Sequence, residues 1–119
     1  IDKFLKNNEK ILNTEELDKE MDPEIIKDLL LDVLNLLPTQ MEELREAVNS
    51  KDLERVKRAA HKAKGGIASF IKGDLVNKLN RLEQEAKKGN TDNFDELLTL
   101  IEQDIKRFID ETKVFLEKN

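Results

Sequence analysis

The chain has 119 residues, a net charge of −5, 39% charged and 38% hydrophobic residues, the size of one domain able to bury a single core. It has no Cys, which excludes disulfides, thiolate catalysis and Cys-based zinc or iron–sulfur centres. Five Phe, no Trp or Tyr, four Gly and two Pro give a helix-rich, strand-poor profile; no apolar run approaches the ~18–20 residues that span a bilayer, and no signal peptide is visible.

In chain order, Asp2 to Leu12 reads as a short helix with Phe4, Leu5, Ile11 and Leu12 inward. Asn13 and Thr14 are N-cap residues for a second short piece over 14–21. Asp22-Pro23 is a stronger start signal, a capping carboxylate followed by proline at the first helical position. From there Ile26, Leu30, Val33, Leu37, Met41, Leu44 and Val48 form one stripe without a break in phase, widened by Leu29, Leu34 and Leu36. Pro38 lies in the middle. In a lone helix it costs about 3 kcal/mol and argues for two helices, whereas the unbroken phase argues for one kinked helix, the preferred reading. Asn49-Ser50 reads as the turn, with Ser50 able to cap the histidine-bearing helix.

Residues 53–73 hold the only histidine. Leu53, Val56, Ala60, Ala63, Ile67 and Phe70 recur at the spacing of a helix that buries one seam. His61 lies off that seam, on a stripe with Glu54, Lys57, Arg58, Lys64, Gly65 and Ala68, so it faces solvent from mid-helix. A Gly in a helix interior costs about 0.5–1 kcal/mol relative to Ala, and here Gly65 and Gly66 come as a pair. They are compatible with a helix end, but the seam continues in phase through Ile67 and Phe70, which favours a helix that runs on. Gly65 then sits one turn from His61 on the same face and lets a bulky group approach the imidazole. Lys64 supplies a mobile ammonium for an anion on the ring.

After Gly73, Leu75, Leu79, Leu82 and Ala86 make another seam that ends in Lys87-Lys88-Gly89, cations and then glycine. Asn90 to Asn93 is a turn. Phe94, Leu97, Leu98, Ile101, Ile105, Phe108, Thr112 and Phe115 mark a last helix of more than about twenty residues. The expected fold is therefore all-α: an up-down antiparallel four-helix bundle over 22–119, with one or two short extra helices in an extension over 1–21, all one domain. The aromatic residues are core filling rather than a platform for bases. Asp28 and Asp32 among the leucines of the first stripe speak against a membrane-surface helix.

Charge is informative locally. From Lys51 to Lys64 six cations (Lys51, Arg55, Lys57, Arg58, Lys62, Lys64) face Asp52 and Glu54, an excess of four positive charges on a body that carries the balance of −9. Such a helix steers toward an acidic partner; an ordinary solvated helix face has the same look. Nucleic acid fits poorly, since the chain is acidic and lacks aromatic–basic interleaving. One histidine, no cysteine and no dense carboxylate loop disfavour a metal centre, and no phosphate-binding glycine loop follows a strand.

His61-x-x-Lys64-Gly65, preceded by Arg58-Ala59-Ala60, resembles the phosphorylation motif of histidine phosphotransfer (HPt) domains of bacterial multistep phosphorelays. Leu29 to Val48, with Glu42-Glu43-Leu44-Arg45-Glu46-Ala47, is similar to the long helix before the histidine helix of that family, and Asp52-Leu53 resembles the start of the histidine helix. Leu82-Glu83-Gln84 through Lys87-Lys88-Gly89 falls at the family's spacing from the histidine without a gap. The similarity covers roughly residues 23–116. Ile71 stands where many members carry Gly, and Ala63 where a larger aliphatic residue is common; these departures concern where the histidine helix ends and how its seam packs.

The resemblance implies a phosphocarrier without a kinase site of its own. It takes a phosphoryl group on His61 from the aspartyl phosphate of a response-regulator receiver domain and passes it to another receiver. A sensor histidine kinase is a further candidate partner. Lys64 would compensate charge, Gly65 would clear the approach, and Glu83, where related domains place a Glu or Gln, would accept the hydrogen of Nδ1 so that Nε2 is presented. Lys57, Arg58, Lys62 and Ala68 would meet the partner. No cofactor is expected on this chain, Mg²⁺ belonging to the receiver. Two alternatives stay open. One is a helical adaptor with an idle exposed histidine, which gives no reason for the Gly pair and Lys64. The other is the phosphorylatable domain of a chemotaxis-type kinase, in which the lead-in to the histidine is usually shorter. A cytoplasmic monomer is the default. A start at Ile1 reads as a piece of a larger chain, so a free-standing carrier and a module of a hybrid kinase both remain open.

Overall fold

The computed structural model describes residues 11–14 and 21–118. The expected helices over 2–12 and 14–21 fall mostly outside them. Among the described residues four α-helices succeed one another: α1 (Pro23–Ser50), α2 (Leu53–Ile67), α3 (Leu75–Lys88) and α4 (Phe94–Lys118), with a 3₁₀ turn at Ala68–Phe70 after α2. Each packs on the next, and α1 also packs on α4, which closes the ring of a bundle. Short connections force consecutive neighbours to run antiparallel.

Helix α1 starts as its sequence dictates. The Asp22 carboxylate accepts from the Glu24 amide, and Pro23 takes the first turn, where no amide hydrogen is needed. It is one helix through Pro38, because Ile26, Leu30, Val33, Leu37, Leu44 and Val48 are all buried on a single face. Apolar burial at roughly 25 cal/mol per Å² outweighs the one lost hydrogen bond. Leu36 does not widen that face: it is 57% exposed.

The α1–α2 turn is tighter than Asn49-Ser50 suggests. Helix α1 continues to Ser50 and ends on Lys51 in the left-handed region (φ 56°), whose amide reaches back to Ala47 and Val48. The cap of α2 is then Asp52, whose side chain accepts from the Arg55 amide, and not Ser50, which hydrogen-bonds to Ala47. A carboxylate there also meets the positive helix end.

Ile67 and Phe70 are buried, as the continued seam requires. Gly65 and Gly66 lie inside α2, and the α-helix stops only at Ile67 before the 3₁₀ turn. Helix α3 ends on Gly89 at φ +76°, a conformation that costs glycine nothing. Helix α4 buries Phe94, Leu97, Leu98, Ile101, Ile105, Phe108 and Thr112.

Ile11 and Leu12 are inward but not helical. Leu12 forms an isolated antiparallel bridge with Ile71; the Asn13 amide donates to Phe70 and the Lys72 amide to Ile11, at 2.7 and 2.8 Å. The amides of Ile11 and Leu12 both donate to Glu111 Oε1 of α4, each at 2.8 Å. Helix geometry would have satisfied those amides internally; here a carboxylate about a hundred residues away does so.

Candidate functional site

The only histidine projects from the middle of α2 toward α3. Val56, Ala59, Ala60, Ala63 and Ile67 hold the inner face of α2 in the core, which leaves the His61 side chain 70% exposed. Its Nδ1 is 3.6 Å from Glu83 Oε1. Glu83 is one of two buried polar residues among those described. It sits on α3 in phase with Leu79, Leu82 and Ala86, so the seam that folds the helix also brings the carboxylate under the imidazole.

Lys64 does not swing freely. Its ammonium donates to Asn80 Oδ1 at 2.6 Å and to Glu83 Oε1 at 3.2 Å, and its side chain is only 22% exposed. Lys87, one turn after Glu83 on α3, lies 3.7 Å from Glu83 Oε2. Burial pushes the Glu83 carboxyl up, but the Lys64 hydrogen bond and the charges of Lys64, His61 and Lys87 outweigh it and hold the group below the ordinary carboxylate value. An ionised acceptor therefore faces Nδ1.

Gly65 comes next on the outer face. A Cβ added there meets nothing within 4 Å, while one on Gly66 meets only the Gln40 side chain at 3.7 Å. Packing does not require glycine at 65. Lys57 is partly exposed and pairs with Glu54 at 3.2 Å. Arg58, Lys62 and Ala68 are exposed. Arg58 and Lys62 line a groove with Arg55, Ala59 and Glu43 on the opposite, α1-facing side of α2.

The structure thus brings His61, Lys64 and Glu83 together and sets Gly65 beside them. Of the four other residues, Arg58 and Lys62 lie apart, on the flank of α2 toward α1, while Lys57 is partly exposed and Ala68 exposed. Sequence reasoning missed Asn80 and Lys87. Their only signal was helical spacing around Glu83, at i−3 and i+4. Among the described residues no group of three His, Cys, Asp or Glu could hold a metal ion, and no helix is long and apolar enough to cross a membrane.

A family model of the Hpt domain matches residues 28–111, which take in the whole of this site. The chain belongs to the Hpt domain family. A histidine phosphotransfer role in phosphorelays, in company with receiver domains and kinases, is established at that level. Comparison of this Hpt domain with curated proteins and with solved structures gave no match.

Proposed function

We propose that this Hpt domain carries a phosphoryl group on His61 between two receiver domains. The observation that carries the reading is that the chain has one histidine and that it stands 70% exposed above an ionised carboxylate. The neutral ring, with hydrogen on Nδ1, attacks the phosphorus of a receiver's aspartyl phosphate with the Nε2 lone pair. An N–P bond forms, the acyl P–O bond breaks, and the aspartate leaves as carboxylate. The ring, still protonated at Nδ1, becomes cationic, and Glu83 stabilises that charge. Transfer to the next receiver is the reverse of these steps.

Positioning and charge compensation are what such a transfer needs. Lys64 supplies a cation one turn from the ring, Gly65 leaves the approach clear, and Lys57, Arg58, Lys62 and Ala68 meet the receiver. Mg²⁺ belongs to the receiver's own acidic site. The phosphoryl group comes from the partner.

The test is incubation with a panel of phosphorylated receivers and Mg²⁺, tracking acid-labile, alkali-stable phosphate on wild type and His61→Gln. Label on wild type and none on the variant is the expected result. A folded wild type that stays unlabelled across the panel would contradict the reading.

A further inference from the structure

Glu83 Oε1 is shared: Lys64 Nζ lies 3.2 Å from it and His61 Nδ1 lies 3.6 Å from it. The shorter bond of Lys64 goes elsewhere, to Asn80 Oδ1 at 2.6 Å. An ammonium has three donors and no acceptor, so the Asn80 amide must turn its oxygen to Lys64. Asn80 precedes Glu83 by three residues on α3, which places both acceptors on one face. Charge-assisted N⁺–H···O⁻ bonds are usually about 2.7–2.9 Å long, shorter than the 3.2 Å between Lys64 and Glu83. Without Asn80 the ammonium would close on Oε1, draw down its charge and crowd the imidazole off it.

We propose that Asn80 is a positioning residue, holding the Lys64 ammonium partly off Glu83 so that the carboxylate stays free to fix the Nδ1–H tautomer of His61. Which nitrogen carries the hydrogen is decided by the bond the other side of the ring makes, so a residue bonded to Lys64 sets the nucleophile. The consequence for transfer rests on His61 being the phosphoryl acceptor; the consequence for the tautomer does not.

The experiment compares wild type, Asn80→Leu, which removes the acceptor at similar size, and Asn80→Asp, which restores one. Imidazole ¹⁵N shifts of the unphosphorylated proteins at alkaline pH report the tautomer. Wild type and Asn80→Asp are expected to show hydrogen on Nδ1, and Asn80→Leu a shift toward Nε2–H at unchanged helix content. Initial labelling by phosphoramidate, a donor too small to need docking, should fall roughly three- to tenfold in Asn80→Leu, the range of one net hydrogen bond, and recover in Asn80→Asp. Wild-type ring shifts in Asn80→Leu, or no recovery in Asn80→Asp, would overturn the proposal. A wild type that no donor labels would count against the carrier reading alone, because the ring shifts still decide the role of Asn80.

Discussion

Ala63 and Gly65 stand two residues apart on α2 and are small for opposite reasons. Ala63 is fully buried in the core, where α2 packs on α1 and α3. Gly65 faces outward, and a Cβ there would meet nothing within 4 Å. The inner face of the helix is shaped by its neighbours in the bundle. The outer face gives up helix propensity with no gain in packing; on the proposed function the gain lies in room for what approaches His61. The two faces should therefore respond in opposite ways to added bulk and to charge.

The largest effect is expected at the exposed cations on the α1-facing flank of α2. Reversing both Arg58 and Lys62 to Glu should slow transfer from a receiver at low salt by roughly tenfold or more, because steering toward an acidic partner is lost. Labelling by phosphoramidate should be unaffected. Stopped mixing at several ionic strengths checks this: the wild-type rate should fall with salt and the variant's hardly at all.

On the inner face, Ala63→Leu should lower stability by about 1–3 kcal/mol, the range for overpacking, seen as a lower denaturant midpoint. Glu83→Gln should cost roughly 1–2 kcal/mol at neutral pH by removing the negative charge that Lys64 and Lys87 face, although Lys64 keeps its bond to Asn80. Its pH dependence has a definite sign. The folded carboxyl lies below its ordinary value of 4.5, so the stabilisation is complete above that pH and is lost as pH falls toward the folded value. Urea midpoints of wild type and Glu83→Gln should converge as the solution is acidified from neutral pH through that range.

Much of the bundle was legible because each helix carries one unbroken seam, from Ile26 to Val48 and from Phe94 to Thr112. Even Pro38 could be read through, since the phase on both sides agreed. What was not legible lay where partners are remote in sequence. Nothing near Ile11 and Leu12 announces that Glu111 will accept from their amides, and apolar residues there look equally helical. At the site, His61 was visible as the one exposed histidine off the seam. The tether of Lys64 to Asn80 was not, because two helices must first be docked before those side chains meet. The Lys51–Asp52 turn was misread by one or two residues because a lysine in the left-handed region has no sequence mark.

The most direct test of the account is Gly65→Ala, measured for stability and for transfer on the same protein. A methyl group there fills open space on a helix, so the variant should be more stable by about 0.5–1 kcal/mol and yet accept phosphate from a receiver more slowly than wild type. A variant that is more stable and equally fast would contradict the claim that this glycine serves an approaching partner. One that is less stable would show that the fold, after all, requires it.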